Sequence, residues 1–445
     1  MAYLGIDIGS SSIKAGWLDL RAGEIADVLA EPFPEPLSNL PSGHFEIELP
    51  PVVERTRELI ERLLRRNGPF DGIVTCSQMG GIVLTDAAGT AITNYLSWRD
   101  QRTLEQHPSG KGTYLDLLRS KTTDRDFNLI GRELKPGGGA AILFWLAQTG
   151  NLRAPPCRAM ALGDYVLTQL CKSNPLAEPT LALGLVDLSR GDWHHPWFQQ
   201  LGFGTIEWPK LGSVSAWVGK YPASSGGIPC YPAVGDHQAA LFGTDLTERE
   251  LSVNASTGAQ VSLLTNSWQP GDYQTRPYFG NCYLNTITHL PAGRSLNALV
   301  DLLTALSQQA GLNIPDPWSI ITRELDQTPR TDLQVDLAFF ASAVGDRGSI
   351  HNIRLENLTI GHLFRASLEN MAENFSAASQ RLGNTNAWER IVLSGGICQK
   401  LPLLRNLIGE KIPGRQRTVQ TTEETLLGLL KLAKHLHAKQ EGSQP

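Results

Sequence analysis

Two apolar-rich runs open the chain, residues 3 to 8 and 13 to 20, separated by Gly9-Ser10-Ser11-Ser12. Runs of strand length joined by small polar residues predict a β-hairpin. A Pro-rich connection from Glu31 to Pro41 follows, and then the period changes. From Pro51 to Asn67, the residues Val52, Thr56, Leu59, Ile60, Leu63 and Leu64 share one helical face, with Pro51 suited to the first turn and Gly68 to the stop. Gly72 to Ser77 reads as a short buried strand that ends in Gln78-Met-Gly-Gly81. Strand, helix and strand in succession predict an α/β layer architecture. A second hairpin is expected at Ile82 to Thr85, turning over Asp86 to Gly89 and leading to Leu96-Ser-Trp-Arg-Asp-Gln-Arg102. Residues from about 103 to 230 are less regular, with a helix at Ala140 to Gln148 among Pro- and Trp-rich loops. They are expected to form an elaboration that walls a cleft.

The opening pattern then restarts. Leu251 to Gln260 reads as a strand entering a Ser-Thr-Gly turn, and Val261 to Thr265 leaves it as another strand. A helix around Ile360 to Leu382, a buried strand Arg390 to Leu393 running into Ser394-Gly-Gly396, and a terminal helix from about Glu423 to His437 complete the series. The restart divides the chain into residues 1–243 and 244–438, with 439–445 as a frayed tail.

Composition narrows the classes. A chain of 445 residues is too long for one core and suits two domains, and 41% hydrophobic with 19% charged residues describes an ordinary folded protein. A net charge of -5 and a pI near 6.1 argue against nucleic acid as partner, which needs an excess of Lys and Arg. No stretch reaches the ~20 apolar residues that cross a bilayer, and no secretory signal opens the chain. The six cysteines are scattered without a Cys-x-x-Cys pair, which is cytoplasmic usage and offers no metal framework.

The chemistry centres on Val234-Gly-Asp-His-Gln-Ala-Ala-Leu-Phe-Gly243. It sets one carboxylate, Asp236, between a tight glycine turn and a small-residue helix start. An Asp so placed suits a base that takes a proton from a hydroxyl, and equally suits a helix N-cap. His237 beside it reads as a satisfied loop histidine. The two hydroxyl-rich hairpin turns, one in each half, have the composition of phosphate-binding turns that rely on backbone N–H groups and Ser or Thr hydroxyls.

These features come in a set order. Asp7-Ile-Gly-Ser10, Gln78-Met79, Trp98-Arg-Asp-Gln-Arg102, Gly235-Asp-His-Gln-Ala-Ala240, Ser256-Thr-Gly-Ala-Gln260, a helix carrying Arg365-Ala-Ser-Leu-Glu369, and Gly395-Gly396 follow one another. The series resembles the FGGY carbohydrate kinases, the family of glycerol kinase, xylulokinase, ribulokinase and sedoheptulokinase, over residues 3 to about 435. The resemblance implies the actin-like ATPase fold, two similar ribonuclease-H-like domains with ATP in a central cleft. It implies Asp236 as the base, Asp7 with Asp236 at Mg²⁺, and Gly9, Ser10, Ser11 and Lys14 around the phosphates. Thr257 and Gly258 match the second phosphate loop, Gly293 and Asn297 the segment after it, and Gly395 and Gly396 the adenosine motif. The matching sugar wall is Gln78, Met79, Trp98, Asp100, Arg102 and Asp236. By their residue types alone, Trp98 also suits a core and Asp100 with Arg102 an ion pair that fixes the loop.

Two departures stand out. Gly80 follows Gln-Met where xylulokinase-like members have His, and Ala343 stands where a Pro is usual. The expected activity is ATP- and Mg²⁺-dependent phosphorylation of a ketose such as sedoheptulose, xylulose or ribulose. The alternatives are a glycerol or erythritol kinase, or a catalytically silent sugar- or nucleotide-sensing protein on the same fold. The expected partners are a small sugar or polyol and ATP, with no nucleic acid and no membrane, and a homodimer stays open.

Overall fold

A computed structural model describes residues 1–152, 156–223, 226–383, 387–420 and 423–441. The chain forms two units, Met1–Asp245 with Thr275–Tyr283 and Glu423–Pro445, and Leu246–Gln274 with Leu284–Thr422. The terminal helix therefore belongs with the N-terminal residues, not with the 244–438 half to which the sequence pattern assigned it. It also runs from Glu424 to Glu441, through the first residues of the expected tail, and 442–445 lie outside the described residues.

In the first unit, Ala2–Ile8 pairs antiparallel with Ser12–Asp19 and parallel with Gly72–Ser77. All six residues of Gly72–Ser77 are buried, which explains an apolar run without alternation. The helix that crosses between these strands is Leu49–Asn67, and it buries Val52, Thr56, Leu59, Ile60 and Leu63 as the period predicted. Glu24–Pro32 extends the sheet on one side, and Gly226–Cys230 with Gly219–Ala223 on the other. These last two strands correct the expectation of an irregular segment up to residue 230. Their sequences, Gly-Lys-Tyr-Pro-Ala and Gly-Gly-Ile-Pro-Cys, carry residues depleted in strands and hide the pairing from a reader of the sequence.

The register of this sheet does the chemical positioning. Asp7 lies opposite Cys76 on one side, and Val234 lies opposite Cys76 on the other, with Gly235 opposite Ser77. Asp7 and Asp236, far apart in sequence, thereby reach the same end of one sheet. The terminal helix backs the arrangement: Leu426, Leu429, Leu430, Ala433 and Leu436 share a buried cluster with Tyr3, Leu18, Val74 and Val234. It also crosses the helix Asp236–Gly243 at backbone contact, since a Cβ on Gly428 would lie 1.8 Å from the carbonyl oxygen of Ala239.

The second unit repeats the plan. Glu250–Ala255 pairs antiparallel with Ala259–Thr265 and parallel with Arg390–Ser394, which is flanked in turn by Arg415–Thr418. The helix Ile360–Leu382 precedes the parallel strand and buries Phe364, Leu368, Met371 and Phe375. Among the described residues, no helix is long and apolar enough to cross a membrane.

Candidate active site

Asp236 is the first residue of its helix, and Gly235 occupies the cap position. Its Oδ1 accepts from the backbone N–H of His237 at 2.8 Å. The helix N-terminus favours an anion there. Burial and the neighbouring Asp7 work against it, and together they push the Asp236 carboxyl up to about 7. Asp7 is raised by burial as well, partly offset by donors: Thr425 Oγ1 lies 2.8 Å from Oδ2, and Cys76 Sγ lies 3.6 Å from Oδ1.

Gly235 has no room for a side chain. A Cβ there would meet Gln238 Oε1 at 2.5 Å and Met79 Sδ at 2.9 Å, so Met79 lies directly against the turn that carries Asp236. The Gly235 N–H donates to Thr180 Oγ1 at 3.0 Å. Gln78 ties this corner to its neighbours: Nε2 donates to the Gly9 carbonyl at 3.1 Å, and Oε1 accepts from Trp98 Nε1 at 3.0 Å. Trp98 keeps 39% of its surface exposed, so it is not part of the core. Ser10 and Ser11 are exposed at the tip of the first hairpin.

Three expected site residues are engaged with neighbours. Asp100 is fully buried, and it accepts from Arg102 Nε (2.9 Å), Arg102 Nη2 (2.8 Å), the Arg102 backbone N–H (2.9 Å) and the Phe45 backbone N–H (2.7 Å). Arg102 Nη2 also reaches Glu46 Oε1 at 2.8 Å. With the lone pairs of Asp100 used, this pair holds the Trp98 loop in place. Lys14 pairs with Glu423 at 2.8 Å, at the start of the terminal helix. At Gly80, φ is +82° and a Cβ would lie 3.0 Å from that of Trp98, so this backbone favours glycine and strains any larger residue, histidine included.

The second unit gathers its own set. Thr257 and Gly258 are exposed on the turn between the hairpin strands, and nothing lies within 4 Å of a Cβ placed on Gly258. The Gly293 N–H donates to the Ser256 carbonyl at 3.0 Å, which packs the start of the helix Gly293–Gln309 under the turn; Asn297 is exposed one turn further on. Gly395, at φ +85°, comes so close that a Cβ would lie 2.4 Å from the Ala255 carbonyl oxygen. Gly396 beside it is open. Asn254 links the two glycine corners, donating to Ser394 Oγ at 2.8 Å and accepting from Ser256 Oγ at 2.9 Å.

A model of the N-terminal domain of the FGGY family of carbohydrate kinases matches residues 2–243, more than half of the chain. The chain belongs to the FGGY family of carbohydrate kinases. It is an enzyme that phosphorylates a sugar, and membership implies ATP as the donor. Solved structures share its fold. Gluconate kinase from Lactobacillus acidophilus superposes with a TM-score of 0.84 at 15% identity, covering 98% of this chain and 89% of that one. The ligand-bound xylulose kinase of the same organism gives 0.84 at 16% (98% and 90%), and Plasmodium falciparum glycerol kinase with ADP gives 0.82 at 17% (98% and 90%). These establish the actin-like ATPase fold for this kinase. No curated protein sequence matches the chain.

Several residues of this FGGY kinase escape a sequence reading. Thr425 and Glu423 meet Asp7 and Lys14 across more than 400 residues, and no local pattern announces such a contact. Glu178 is another. It accepts the backbone N–H and hydroxyl of Thr180, the residue that receives the Gly235 N–H, and burial raises its carboxyl to about 7. Since its folded pKa lies above the ordinary 4.5, Glu178 contributes stability that is full below about pH 4.5 and is lost as the pH rises through 7. Glu178→Gln keeps the accepting oxygen and removes the charge. It should melt at least ~2 °C above the wild type at pH 8 and close to it at pH 5, by calorimetry; equal melting at pH 8 would refute the charged-state cost.

Proposed function

We propose that this kinase phosphorylates a small ketose, with sedoheptulose, xylulose or ribulose ahead of glycerol and erythritol, and that Asp236 is the base. The observation that carries this reading is the corner where Asp236, Met79, Gln78 and Trp98 meet. A carboxylate with a pKa near the working pH stands beside a thioether and an exposed indole, the surfaces that a polyol's hydroxyls and C–H faces need.

In this scheme Asp236 Oδ takes the proton of the attacking hydroxyl, and the helix N-terminus behind it fixes its position. Met79 and Trp98 orient the sugar and exclude water from one side. Ser10 and Ser11 in the first unit, and separately Thr257, Gly258, Gly395 and Gly396 in the second, are the open turns suited to hold phosphates and adenosine. Asp7 and Asp236 suit Mg²⁺. Two carboxylates, each raised by burial and one of them raised further by the other, want a cation, yet the described residues contain no cluster of three or more acidic, His or Cys side chains that would hold a metal unaided. Mg²⁺ ordinarily takes one or two carboxylates and completes its shell with phosphate oxygens and water. Bound Mg²⁺-ATP would supply the transferable phosphoryl group and neutralise its charge.

The test is coupled ADP release with ATP and Mg²⁺ against sedoheptulose, D-xylulose, D- and L-ribulose, erythritol and glycerol. One ketose with a kcat/KM at least ~10-fold above the other compounds is expected. A preference for glycerol or erythritol, or no turnover of any compound, would overturn the ketose reading.

A further inference from the structure

The turn Glu178-Pro-Thr-Leu181 lies against the corner that carries Asp236. It is closed by the Leu181 N–H on the Glu178 carbonyl at 3.0 Å, and Leu181 anchors it in the core of the first unit. Within it Thr180 is 1% exposed, and its hydroxyl is engaged on both sides. The O–H donates to Glu178 Oε2, which also accepts the Thr180 backbone N–H at 2.8 Å. With the proton directed there, a lone pair of Oγ1 is left for the Gly235 N–H, 3.0 Å away. A hydroxyl hydrogen is otherwise free to rotate, and Glu178 fixes it.

Thr180 grips the corner a second time. Its carbonyl oxygen lies 2.9 Å from where a Cβ of Gly235 would be, and it accepts from Nε2 of the fully buried Gln238 at 3.4 Å. The two contacts fall on either side of Asp236, one residue before it and two after. Gly235 is the cap residue of the helix Asp236–Gly243, so its N–H lies outside the helical ladder, and the Thr180 hydroxyl satisfies it. Asp236 itself is held from the backbone, by the His237 N–H at 2.8 Å. The aim of the carboxylate therefore follows the geometry of the turn, which Thr180 fixes.

We propose that Thr180 is a positioning residue for Asp236: its hydroxyl, oriented by Glu178, fixes the Gly235 turn so that the carboxylate meets the reacting hydroxyl at hydrogen-bond distance. This rests on the reading of Asp236 as the base. In that scheme the sugar is held by Met79 and Trp98 and the nucleotide by other turns, so the role of Thr180 shows in kcat rather than in KM.

The experiment uses the full-length enzyme and whichever compound of the panel above the wild type turns over fastest. Thr180→Val keeps the shape and removes the acceptor, and it should lower kcat by about 10- to 100-fold, the loss that follows a misplacement of about 1 Å at a reacting group. KM for the sugar and for ATP should stay within about threefold of wild type. Thr180→Ser restores the hydroxyl without the methyl, so it should recover most of kcat while its melting temperature falls. In an Asp236→Asn background, Thr180→Val should change the residual kcat by less than about threefold, because a residue that acts through the carboxylate has nothing left to position. An unchanged kcat in Thr180→Val overturns the proposal. So does a Thr180→Ser enzyme as slow as Thr180→Val, which would assign the loss to the packing of the methyl, and so does a full further loss in the Asp236→Asn background. Should Thr180→Val fail to fold, Thr180→Ala, which places no methyl against the Glu178 carboxylate, carries the same test. Retention of most of the activity by Asp236→Asn alone, or silence of the wild type across the panel, is a different result, since it removes the reading of Asp236 as the base and the proposal with it.

Discussion

Asp236→Asn should lower kcat for sugar phosphorylation by about 10²- to 10⁴-fold, leave nucleotide affinity within a few-fold, and raise the melting temperature near pH 7.5. The first effect follows from removing the group that receives the hydroxyl proton. The last follows from what the carboxylate endures in the fold. Burial and the charge of Asp7 lift its pKa from 3.8 to about 7, so the folded protein favours the neutral acid. A group of this kind stabilises fully below its unfolded pKa, and that contribution is lost as the pH rises through the folded value. Asparagine is neutral throughout and keeps an oxygen for the His237 N–H. A variant that is both inactive and more stable is the mark of a functional residue held against its own preference. Steady-state kinetics, nucleotide calorimetry and thermal melts would separate the three effects. Retention of most of the activity removes Asp236 from the role of base, and an unchanged melting temperature removes the charge argument.

The second large effect concerns the other end of the chain. A protein ending at Gln420 should not fold, because the helix Glu424–Glu441 covers one face of the first sheet. Five of its apolar side chains, Leu426, Leu429, Leu430, Ala433 and Leu436, are buried against Tyr3, Leu18, Val74 and Val234. Removing one buried Leu typically costs about 2–5 kcal/mol, against a total stability of roughly 5–15 kcal/mol for a domain. The whole face exceeds that margin. The truncation also removes Thr425 from Asp7 and Glu423 from Lys14, so the candidate site loses its support along with its cover. Leu430→Ala, which leaves the helix in place, should fold with a lowered denaturation midpoint. A truncated chain with a wild-type melt would show that the sheet stands without the helix.

Reading the sequence went furthest where the signal is local or repeats in a set order. The helix ending at Asn67 and the buried strand Gly72–Ser77 follow from period and glycine placement. The two hairpins and the corner at Asp236 follow from small residues at turns. What escaped depends on register and distance. Asp7 and Asp236 meet because Asp7 and Val234 flank Cys76 in a parallel sheet and Asp236 follows two residues on, and parallel pairing leaves no trace in neighbouring residues. The Gly-Pro strands after residue 218 are held by their neighbours against their own propensity. Asp100 and Arg102 have the residue types of a polar sugar wall, and only burial shows that they satisfy one another. Gly80 looked like a missing histidine, whereas its positive φ explains the glycine directly.

The first unit is stitched from three separate stretches, and the last of them is its final helix. During synthesis, the face of the sheet that carries Tyr3, Leu18 and Val74 has left the ribosome long before Leu426 to Leu436 exist to cover it. At roughly 5–20 residues per second, residues 246–422 occupy the ribosome for about 10–35 s. Throughout that interval an apolar sheet face is bare in a crowded solution, which makes the nascent chain a natural client for chaperones that shield such surfaces. Slow translation, which helps many two-domain proteins by letting the first domain finish early, would here only lengthen the exposure.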